Sequence, residues 1–569
     1  MANRKERQTM MNGANVSPIG RNDQTMSGAN VSPIGRNDQT LSGANVSPIG
    51  RNDQTLITQS TITSFGVLFA TILFSQMTAA AVSCESLASL SLPNTTITSA
   101  ATVGAGAFTP PAGGGGRGDV GAPFRNLPAF CRATATLKPT SDSDIKMEVW
   151  MPVTGWNGNF QGNGSGGMGG TIPLTDMAKA LRDGFATAGS DTGHQGDSRY
   201  ALEHPERVID FGYRAGHEMT VKAKAVLAAY YGNGPKLSFL DGCGGSAQMA
   251  ESEMQRYPQD YDGIAITGFS QKTRHALEQM WIWDANQKDK ASYIPPEKLT
   301  ALHSAVLQAC DGLDGVKDGL IENPPSCKFD PAVLQCTAAD GPACLTAAQV
   351  EAVRKIYAGP TNPRTGEPLF FPPQPGSELT WAQFTGPQPF GLAADFFKYF
   401  VYRDPNWDPK SRPINYDSDL ALIEKRENLV VNATNPDIRE FVKRGGKLLL
   451  YEGWADGTIP PGVAIDYYKK VVDTIGANTA QDSMRLFMVP GLTHCQAATD
   501  NFDAGWHGRM VLELEQWIKN KKAPARIIAS SFKEGKVVRT RPLCPYPQVA
   551  TYKGTGSTDD AANYTCKAP

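Results

Sequence analysis

The sequence predicts an α/β protein in which helices cover both faces of a mostly parallel sheet. Several short apolar runs are soon followed by Gly, Asp or Pro, as buried strands commonly are. Amphipathic stretches with helical spacing lie between these runs. Strands that alternate with helices in this way form parallel sheets with both faces buried.

Local patterns define the individual elements. Residues 145–151 alternate in places and favour a strand, and three apolar runs predict buried strands at residues 236–240, 447–451 and 485–489. Apolar residues recur with helical spacing at two other places. They predict helices over residues 217–231, which Gly232 ends, and over residues 511–518.

The composition is that of a globular protein, with 40% hydrophobic and 19% charged residues. The net charge of −2 argues against a nucleic-acid partner, because nucleic-acid-binding proteins carry a basic excess. It gives no support for electrostatic docking on a membrane either. Ten cysteines are many for a cytosolic enzyme, so the count predicts an oxidising compartment.

Three near-identical copies of fifteen residues occupy residues 11–25, 26–40 and 41–55. They are polar and broken by Gly and Pro, so they bury too little apolar surface to offset the entropy of ordering. We therefore predict that residues 1–55 are disordered tandem repeats. A functional repeat array, as in an adhesive surface protein, is the alternative.

Residues 56–83 form a signal-like apolar segment. Its apolar run at residues 65–74 is too short to span a bilayer and matches the core of a secretory signal, with small residues following. The segment lies late in the chain, so either translation starts downstream of Met1 or the segment remains as an anchor. We expect a secreted or periplasmic protein without stable membrane insertion after signal removal.

The segment from residue 271 to 436 differs from its neighbours, residues 84–270 and 437–569. It is rich in Pro and aromatic residues, shows no alternation of strands and helices, and contains four cysteines. Long insertions in surface loops are tolerated because closure entropy grows slowly with length. We predict an inserted lid domain between two parts of the sheet domain.

Three predicted strand ends carry residue types that can work together. A Gly-rich turn with Ser246 follows the first apolar run, Asp456 follows the second and His494 follows the third. Nucleophile, Asp and His in this order are typical of α/β-hydrolases. The imidazole takes the hydroxyl proton, and the carboxylate holds the imidazole in the right tautomer. Taken singly, Asp456 is an ordinary turn residue and His494 an ordinary loop histidine.

These segments resemble the tannase and feruloyl esterase family. The resemblance rests on Gly242-Cys243, Trp454-Ala-Asp456 and Gly491-Leu-Thr-His-Cys495, and extends roughly from residue 84 to the C-terminus. It implies a secreted serine esterase with the α/β-hydrolase fold that cleaves carboxylic esters of aromatic acids, such as hydroxycinnamic or gallic acid. The substrate would be a small aromatic ester or a plant polyphenol or polysaccharide ester. His494 would be the general base, oriented by Asp456.

One position departs from the family pattern. The family has serine directly after the cysteine, whereas this chain has Gly244 after Cys243. Either Ser246 serves as the nucleophile from a shifted turn, or the alignment slips locally, or the protein has lost acyl transfer and acts as a binding protein. Cys243 is a weaker candidate because a disulfide would remove its thiolate. Ser246 also suits the first turn of a helix.

An oxyanion needs backbone N–H donors close to the nucleophile. The glycine-rich run at residues 162–170 could supply one and the turn at Ser246 the other. A plain flexible loop is the alternative. A phosphate-binding loop is not supported, because no Lys-Ser/Thr follows the glycines.

An acidic loop predicts a metal. Asp311, Asp314 and Asp318 lie in a Gly-punctuated segment that can wrap Ca²⁺, which takes six to eight oxygen ligands. The resemblance implies a structural calcium ion held by these carboxylates and the carbonyls of Val316 and Leu320. A solvated acidic turn is the alternative. The histidines form no H-E-x-x-H set, so a zinc enzyme is not expected.

The number of possible cysteine pairings is too large for sequence to decide. The resemblance implies five disulfides, Cys84–Cys131, Cys243–Cys495, Cys310–Cys327, Cys336–Cys344 and Cys544–Cys566.

Overall fold

The computed structural model describes residues 82–111, 121–426, 428–495, 509–533 and 536–569. The predicted repeats at residues 1–55 and all but the end of the signal-like segment at 56–83 lie outside these ranges. The described chain belongs to one compact unit. Within it, no helix combines the length and the apolar character needed to cross a membrane.

A nine-stranded sheet runs through the described chain in the order β1-β2-β3-β5-β4-β6-β7-β8-β9. The strands are β1 Thr95–Val103, β2 Phe130–Leu137, β3 Ile145–Pro152, β4 Phe160–Asn163, β5 Ala186–Ser190, β6 Ser238–Cys243, β7 Gly263–Thr267, β8 Lys447–Gly453 and β9 Met484–Val489. The pairs β1·β2, β2·β3 and β3·β5 are antiparallel. All pairs from β5 to β9 are parallel, so the predicted mostly parallel α/β architecture is confirmed.

Helices cover the sheet, and two short hairpins close the chain. The hairpin strands are β10 Ile527–Lys533, β11 Lys536–Leu543, β12 Val549–Tyr552 and β13 Tyr564–Lys567. The α-helices are α1 Leu174–Arg182, α2 Tyr200–Glu203, α3 Pro205–Ile209, α4 Ala215–Tyr231, α5 Gly245–Arg256, α6 Lys272–Gln287, α7 Pro296–Cys310, α8 Ala347–Ala358, α9 Gly391–Asp395, α10 Ser418–Arg426, α11 Asn428–Val431, α12 Arg439–Lys443, α13 Gly462–Ile475, α14 Ala477–Ser483 and α15 Arg509–Asn520.

The central strands are buried on both faces, which explains why they read as continuous apolar runs. Along β8, Leu448 and Leu450 enter one hydrophobic core. Leu449 and Tyr451 enter a second core on the opposite face. Helices α4, α5 and α13 contribute to the first core, and α15 contributes to the second. Side chains alternate between faces in a strand, so each helix layer receives every second residue.

The observed bounds match the predicted ones closely, with one informative difference. The apolar run at residues 236–240 belongs to β6, but this strand continues to Cys243, which pairs with Thr267 of β7. Gly242 and Cys243 are therefore part of the sheet, because parallel pairing compensates for the poor strand propensity of glycine. The turn that follows β6 is consequently very short.

Between β7 and β8 the described chain adds no strand to the nine-stranded sheet. This stretch contains helices α6 to α12. One hydrophobic cluster, around Val306 and Trp381, lies within it, and another, around Phe397 and Trp407, also includes Tyr200 and Phe211 from before β6. The predicted inserted domain at residues 271–436 lies within this stretch. Its role as a lid stays a prediction.

Candidate active site

The turn between β6 and α5 contains Gly244 in a conformation that few other residues adopt. Its φ is +57° and its ψ is −106°, a region that is essentially restricted to glycine unless the surroundings impose it. A Cβ atom built on Gly244 would lie 3.0 Å from Nε2 of His494. A sharp strand-to-helix turn that aims one side chain at a histidine is the nucleophile elbow of α/β-hydrolases.

Asp456, which follows β8, and His494, which follows β9, form a hydrogen-bonded pair. Nδ1 of His494 donates to Oδ2 of the buried Asp456 over 2.9 Å. Oδ1 of Asp456 accepts the N–H groups of Thr458 at 2.8 Å and Ile459 at 2.9 Å. Because Nδ1 carries the proton, the lone pair of Nε2 is free to accept a proton on the side of Gly244.

The electrostatics suit a general base. Burial lowers the pKa of His494, but the charge and hydrogen bond of Asp456 outweigh burial and place this pKa above its usual value. The side chain of His494 is 32% exposed, whereas that of Asp456 is 2% exposed. The carboxylate that stabilises the imidazolium is therefore shielded from solvent, whereas the imidazole itself is partly accessible.

The disulfide Cys243–Cys495 joins the elbow to the histidine loop. Its two residues directly precede Gly244 and follow His494, and their Cα atoms are 6.0 Å apart although 252 residues separate them. The bond removes the thiolate of Cys243 from consideration. All five predicted pairings are confirmed.

Ser246 lies in the first turn of α5, and its hydroxyl is held by Cys243. Oγ donates to the carbonyl of Cys243 over 3.0 Å and accepts from the N–H of Cys243 over 2.6 Å. Neither hydrogen bond involves His494. Side chains on a helix tilt toward its N-terminus, so Ser246 is directed back at β6. The structure thus joins Asp456 and His494, but Ser246 as the nucleophile stays a prediction that this geometry does not favour.

The predicted oxyanion loop lies against the elbow. A Cβ atom on Gly245 would be 2.5 Å from the carbonyl oxygen of Gly167 and 2.6 Å from the carbonyl carbon of Gly166, so only glycine fits at position 245. Among the described residues, neither the N–H of Gly167 nor that of Gly245 donates a hydrogen bond. Two free N–H groups beside the elbow are what an oxyanion hole requires.

A cavity of about 90 Å³ opens in front of Gly244 and His494. Part of its wall comes from the inserted segment, which contributes aromatic and aliphatic side chains. The apolar lining residues are Met168, Ala276, Phe390, Leu392, Ala393, Phe396 and Ile459, and the polar side chains come from Ser270, Lys272, His275, Gln279 and Thr458.

Sequence reasoning missed Glu452 of β8 and the turn after β7 that this side chain holds. Glu452 accepts the N–H groups of Gly268 at 2.9 Å and Phe269 at 3.0 Å, and burial raises the pKa of Glu452 to about 8. A Cβ atom on Gly268 would lie 3.2 Å from Cε1 of His494, so this turn forms another wall of the imidazole site. The signal that could have found it is its place at the carboxyl ends of parallel strands, where α/β proteins bind ligands.

The acidic loop lies elsewhere, against β11. Asp311 accepts the N–H groups of Asp318 and Gly319, each at 3.1 Å, and Oδ1 of Asp314 accepts the N–H of Val316 at 2.9 Å. Oδ2 of Asp314 is buried without a hydrogen bond, with Nη1 of Arg541 at 3.8 Å.

Arg539 and Arg541 both donate to Oδ2 of Asp318, so this carboxylate already has cationic partners. The three aspartate carboxylates do not converge within 4.8 Å of one another. The fit to calcium therefore rests on the oxygen-only donor set and on the unsatisfied oxygen of Asp314.

Comparison with known proteins agrees with this geometry. The family model described as tannase and feruloyl esterase matches residues 131–567. An uncharacterised esterase of Xanthomonas campestris pv. campestris is 36% identical over 553 residues, covering 89% of this chain and 94% of the relative. A probable feruloyl esterase B-1 of Aspergillus oryzae is 31% identical over 464 residues, covering 78% and 85%.

Solved structures show the same fold. The crystal structure of feruloyl esterase B from Aspergillus oryzae superposes with a TM-score of 0.78 at 29% identity, covering 85% of this chain and 99% of that one. A tannin acyl hydrolase from Aspergillus niger superposes with a TM-score of 0.70 at 19% identity, covering 84% and 93%. With the histidine–aspartate pair, the elbow and the disulfide in place, the chain belongs to the tannase and feruloyl esterase family of carboxylic ester hydrolases.

Proposed function

We propose that this chain hydrolyses carboxylic esters of aromatic acids with a water molecule as the nucleophile at Gly244. His494 is the general base and Asp456 is the residue that orients it. One observation carries the proposal: the backbone at position 244 aims its Cβ direction at Nε2 of His494 over 3.0 Å, yet residue 244 has no side chain. The attacking hydroxyl must therefore come from another source.

The proposed reaction proceeds without a covalent enzyme intermediate. Nε2 of His494 takes a proton from water as the water oxygen attacks the ester carbonyl carbon. The resulting oxyanion accepts hydrogen bonds from the N–H groups of Gly167 and Gly245. Collapse breaks the bond to the alcohol, and the imidazolium returns the proton to the leaving oxygen. Asp456 holds the ring and stabilises its charge throughout.

The cavity supports an aromatic acyl group. Phe390, Leu392 and Phe396 of the inserted segment, together with Ile459, give it an apolar wall, which suits the face of an aromatic ring. The name of a relative, a probable feruloyl esterase B-1, points to the same class of acid. In this proposal the inserted segment acts as the lid that recognises the acid.

Four proteins test the proposal: the parent chain, His494→Ala, Ser246→Ala and Gly244→Ser. We expect the parent to hydrolyse methyl ferulate or an aryl benzoate slowly and His494→Ala to lose this activity. Ser246→Ala should keep it, since water is the nucleophile. Gly244→Ser restores a hydroxyl facing His494 and should raise kcat by on the order of 10³-fold, because the loss of a triad serine costs several orders of magnitude.

Labelling by a fluorophosphonate separates the alternatives. Under this proposal the reagent modifies Gly244→Ser at residue 244 and leaves the parent unmodified. Loss of turnover in Ser246→Ala, with labelling of Ser246 in the parent, would establish the Ser246 mechanism and exclude water. A parent that binds ferulate but hydrolyses no ester would be a binding protein.

Two further proposals concern the whole chain. We propose that a structural Ca²⁺ binds the loop of Asp311, Asp314 and Asp318 with the carbonyls of Val316 and Leu320, where it would offset the negative charge of the loop.

We also propose that the protein is exported to the periplasm or the exterior, which its five disulfides support, because such bonds persist in oxidising compartments.

A further inference from the structure

A buried lysine lies beside the cavity. Lys272, the first residue of α6, is 8% exposed, and its Nζ donates to the carbonyl oxygen of Gly167 over 2.7 Å. The same Nζ lies 5.1 Å from the ring centroid of Phe211. A buried ammonium is costly unless it is paired, so this placement requires an explanation.

The ammonium has no carboxylate within 4.0 Å among the described residues. Glu251 of α5 is the carboxylate whose charge affects the pKa of Lys272. Oε1 of Glu251, however, accepts a hydrogen bond from the N–H of Ser270 over 2.6 Å. His275, one turn along α6, feels the charge of Lys272 and is held neutral by burial, which lowers its pKa. Lys272 therefore directs its positive charge at the glycine loop.

The contact with Gly167 links this charge to the elbow. Gly167 is the residue whose backbone touches Gly245, and their two N–H groups are the candidate oxyanion donors. A glycine loop has little intrinsic rigidity, so something must hold it against α5. A hydrogen bond from a charged donor is stronger than a neutral one and restricts its acceptor accordingly.

We propose that Lys272 is a positioning residue for the hydrolysis. Its ammonium holds Gly167 against Gly245, aligns the two N–H groups and places a positive charge near the developing oxyanion. This inference deepens the proposed function, because it assigns the part of the site that receives the oxyanion. It does not depend on which hydroxyl attacks the ester.

The test measures binding rather than turnover, so it stays informative even if the parent hydrolyses nothing. Methyl phenylphosphonate is a stable tetrahedral anion that mimics the intermediate, and N-methylbenzamide is a neutral planar analogue of the ester. Titration calorimetry gives the Kd of each for the parent, Lys272→Met and Lys272→Arg. We expect Lys272→Met to weaken phosphonate binding at least about tenfold and to leave benzamide binding unchanged. Lys272→Arg should bind the phosphonate more tightly than Lys272→Met but less tightly than the parent.

Lys224 provides a matched control. Its Nζ also donates to a backbone carbonyl, that of Asp260, and lies 5.5 Å from the ring centroid of Tyr261, but it does not line the cavity. Lys224→Met should leave both Kd values unchanged. A stable fold in each variant is checked by its circular dichroism spectrum.

The pH dependence adds a second readout. Burial lowers the pKa of Lys272 to about 8, although Glu251 opposes the shift. Deprotonation of His494 in the same cavity should weaken phosphonate binding in both proteins as the pH rises. The parent should show a further loss above pH 8, whereas Lys272→Arg stays charged up to pH 9.5 and should lack that further loss.

Three results would overturn the inference: no preference of the parent for the phosphonate over the benzamide, equal weakening of both ligands in Lys272→Met, or no weakening of either. Selective phosphonate binding without ester turnover would count against the proposed function alone.

Discussion

Gly244 shows how one residue can keep the backbone of a catalytic turn and lose its chemistry. A residue with a side chain would be strained by about 1–3 kcal/mol in such a conformation. Here the strain is relieved and the hydroxyl is absent, while Asp456, His494 and the adjoining disulfide retain their arrangement. The remaining histidine–aspartate pair can still act as a base.

The dependence of kcat/KM on pH should follow the protonation of His494. Its raised pKa means that the neutral, basic form predominates only at a higher pH than in an ordinary histidine, so kcat/KM should rise through a midpoint above pH 6.5. Asp456→Asn removes the charge that raises this pKa, and the midpoint should move to lower pH while kcat falls by up to about 10⁴-fold. Hydrolysis of an aryl ester from pH 5 to 9 measures both effects.

A second histidine–aspartate pair supplies the control. Nδ1 of His204 lies 2.6 Å from Oδ1 of Asp142, and neither residue lines the cavity. Asp142→Asn should leave the midpoint where it is. An unshifted midpoint in Asp456→Asn would show that another group controls the profile.

At the scale of elements, α6 is an unusual helix because it is buried almost all round and yet carries many polar residues. Lys272, His275 and Gln279 line the cavity. Glu278 is completely buried, and neither of its carboxylate oxygens has a hydrogen bond within the described chain. A helix that was only a structural support would carry apolar residues at such positions.

Glu278 should make the protein less stable as the pH rises. Burial, and then the charge of Asp456, raise the pKa of Glu278 well above its ordinary value. The unfolded chain loses this proton near pH 4.3 and the folded chain loses it later, so between the two pKa values the folded state binds more protons. The free energy of unfolding therefore falls by about 1.4 kcal/mol per pH unit in that window.

Glu278→Gln removes this titration. The variant should match the parent near pH 4.5 and become progressively more stable than the parent toward pH 8. Urea unfolding at several pH values measures the difference, and the other buried acids cancel because both proteins contain them. A difference that is constant with pH would contradict the prediction.

At the scale of the whole molecule, Arg541 joins the inserted segment to the C-terminal hairpins. This fully buried side chain of β11 contacts Asp314, Asp318 and Glu322. These three carboxylates outnumber the two guanidinium groups, of Arg539 and Arg541, that contact them. A calcium ion on the acidic loop would offset that excess.

Calcium should therefore raise the thermal stability. We expect EDTA to lower the Tm of the parent and excess Ca²⁺ to restore it, with about 2.7 kcal/mol of stabilisation at a free concentration one hundred times the Kd. Asp314→Ala should abolish the response. Asp330→Asn, which alters an exposed carboxylate in the same segment but outside the loop, should keep it. An unchanged Tm of the parent after addition of EDTA would exclude a structural ion.

Much of the fold and part of the site could be predicted from local patterns. The buried strands, the helices after them, and the order of Asp456 and His494 follow from hydrophobic period and chain order, because both are local properties. The disulfides could be inferred by resemblance to a family. None of these steps required knowledge of which loops touch.

The remaining features depend on tertiary contacts. Ser246 and Gly244 both lie within one turn of Cys243, and only the direction of each Cα–Cβ bond decides which of them faces His494. Lys272 and Gly167 are 105 residues apart in sequence, and their contact forms only when the loop after β4 meets the start of α6. Hydrophobic period and chain order determine the elements of this protein. The packing of loops at the carboxyl ends of the parallel strands decides which side chains meet, since side-chain direction and long-range proximity are set by the folded backbone.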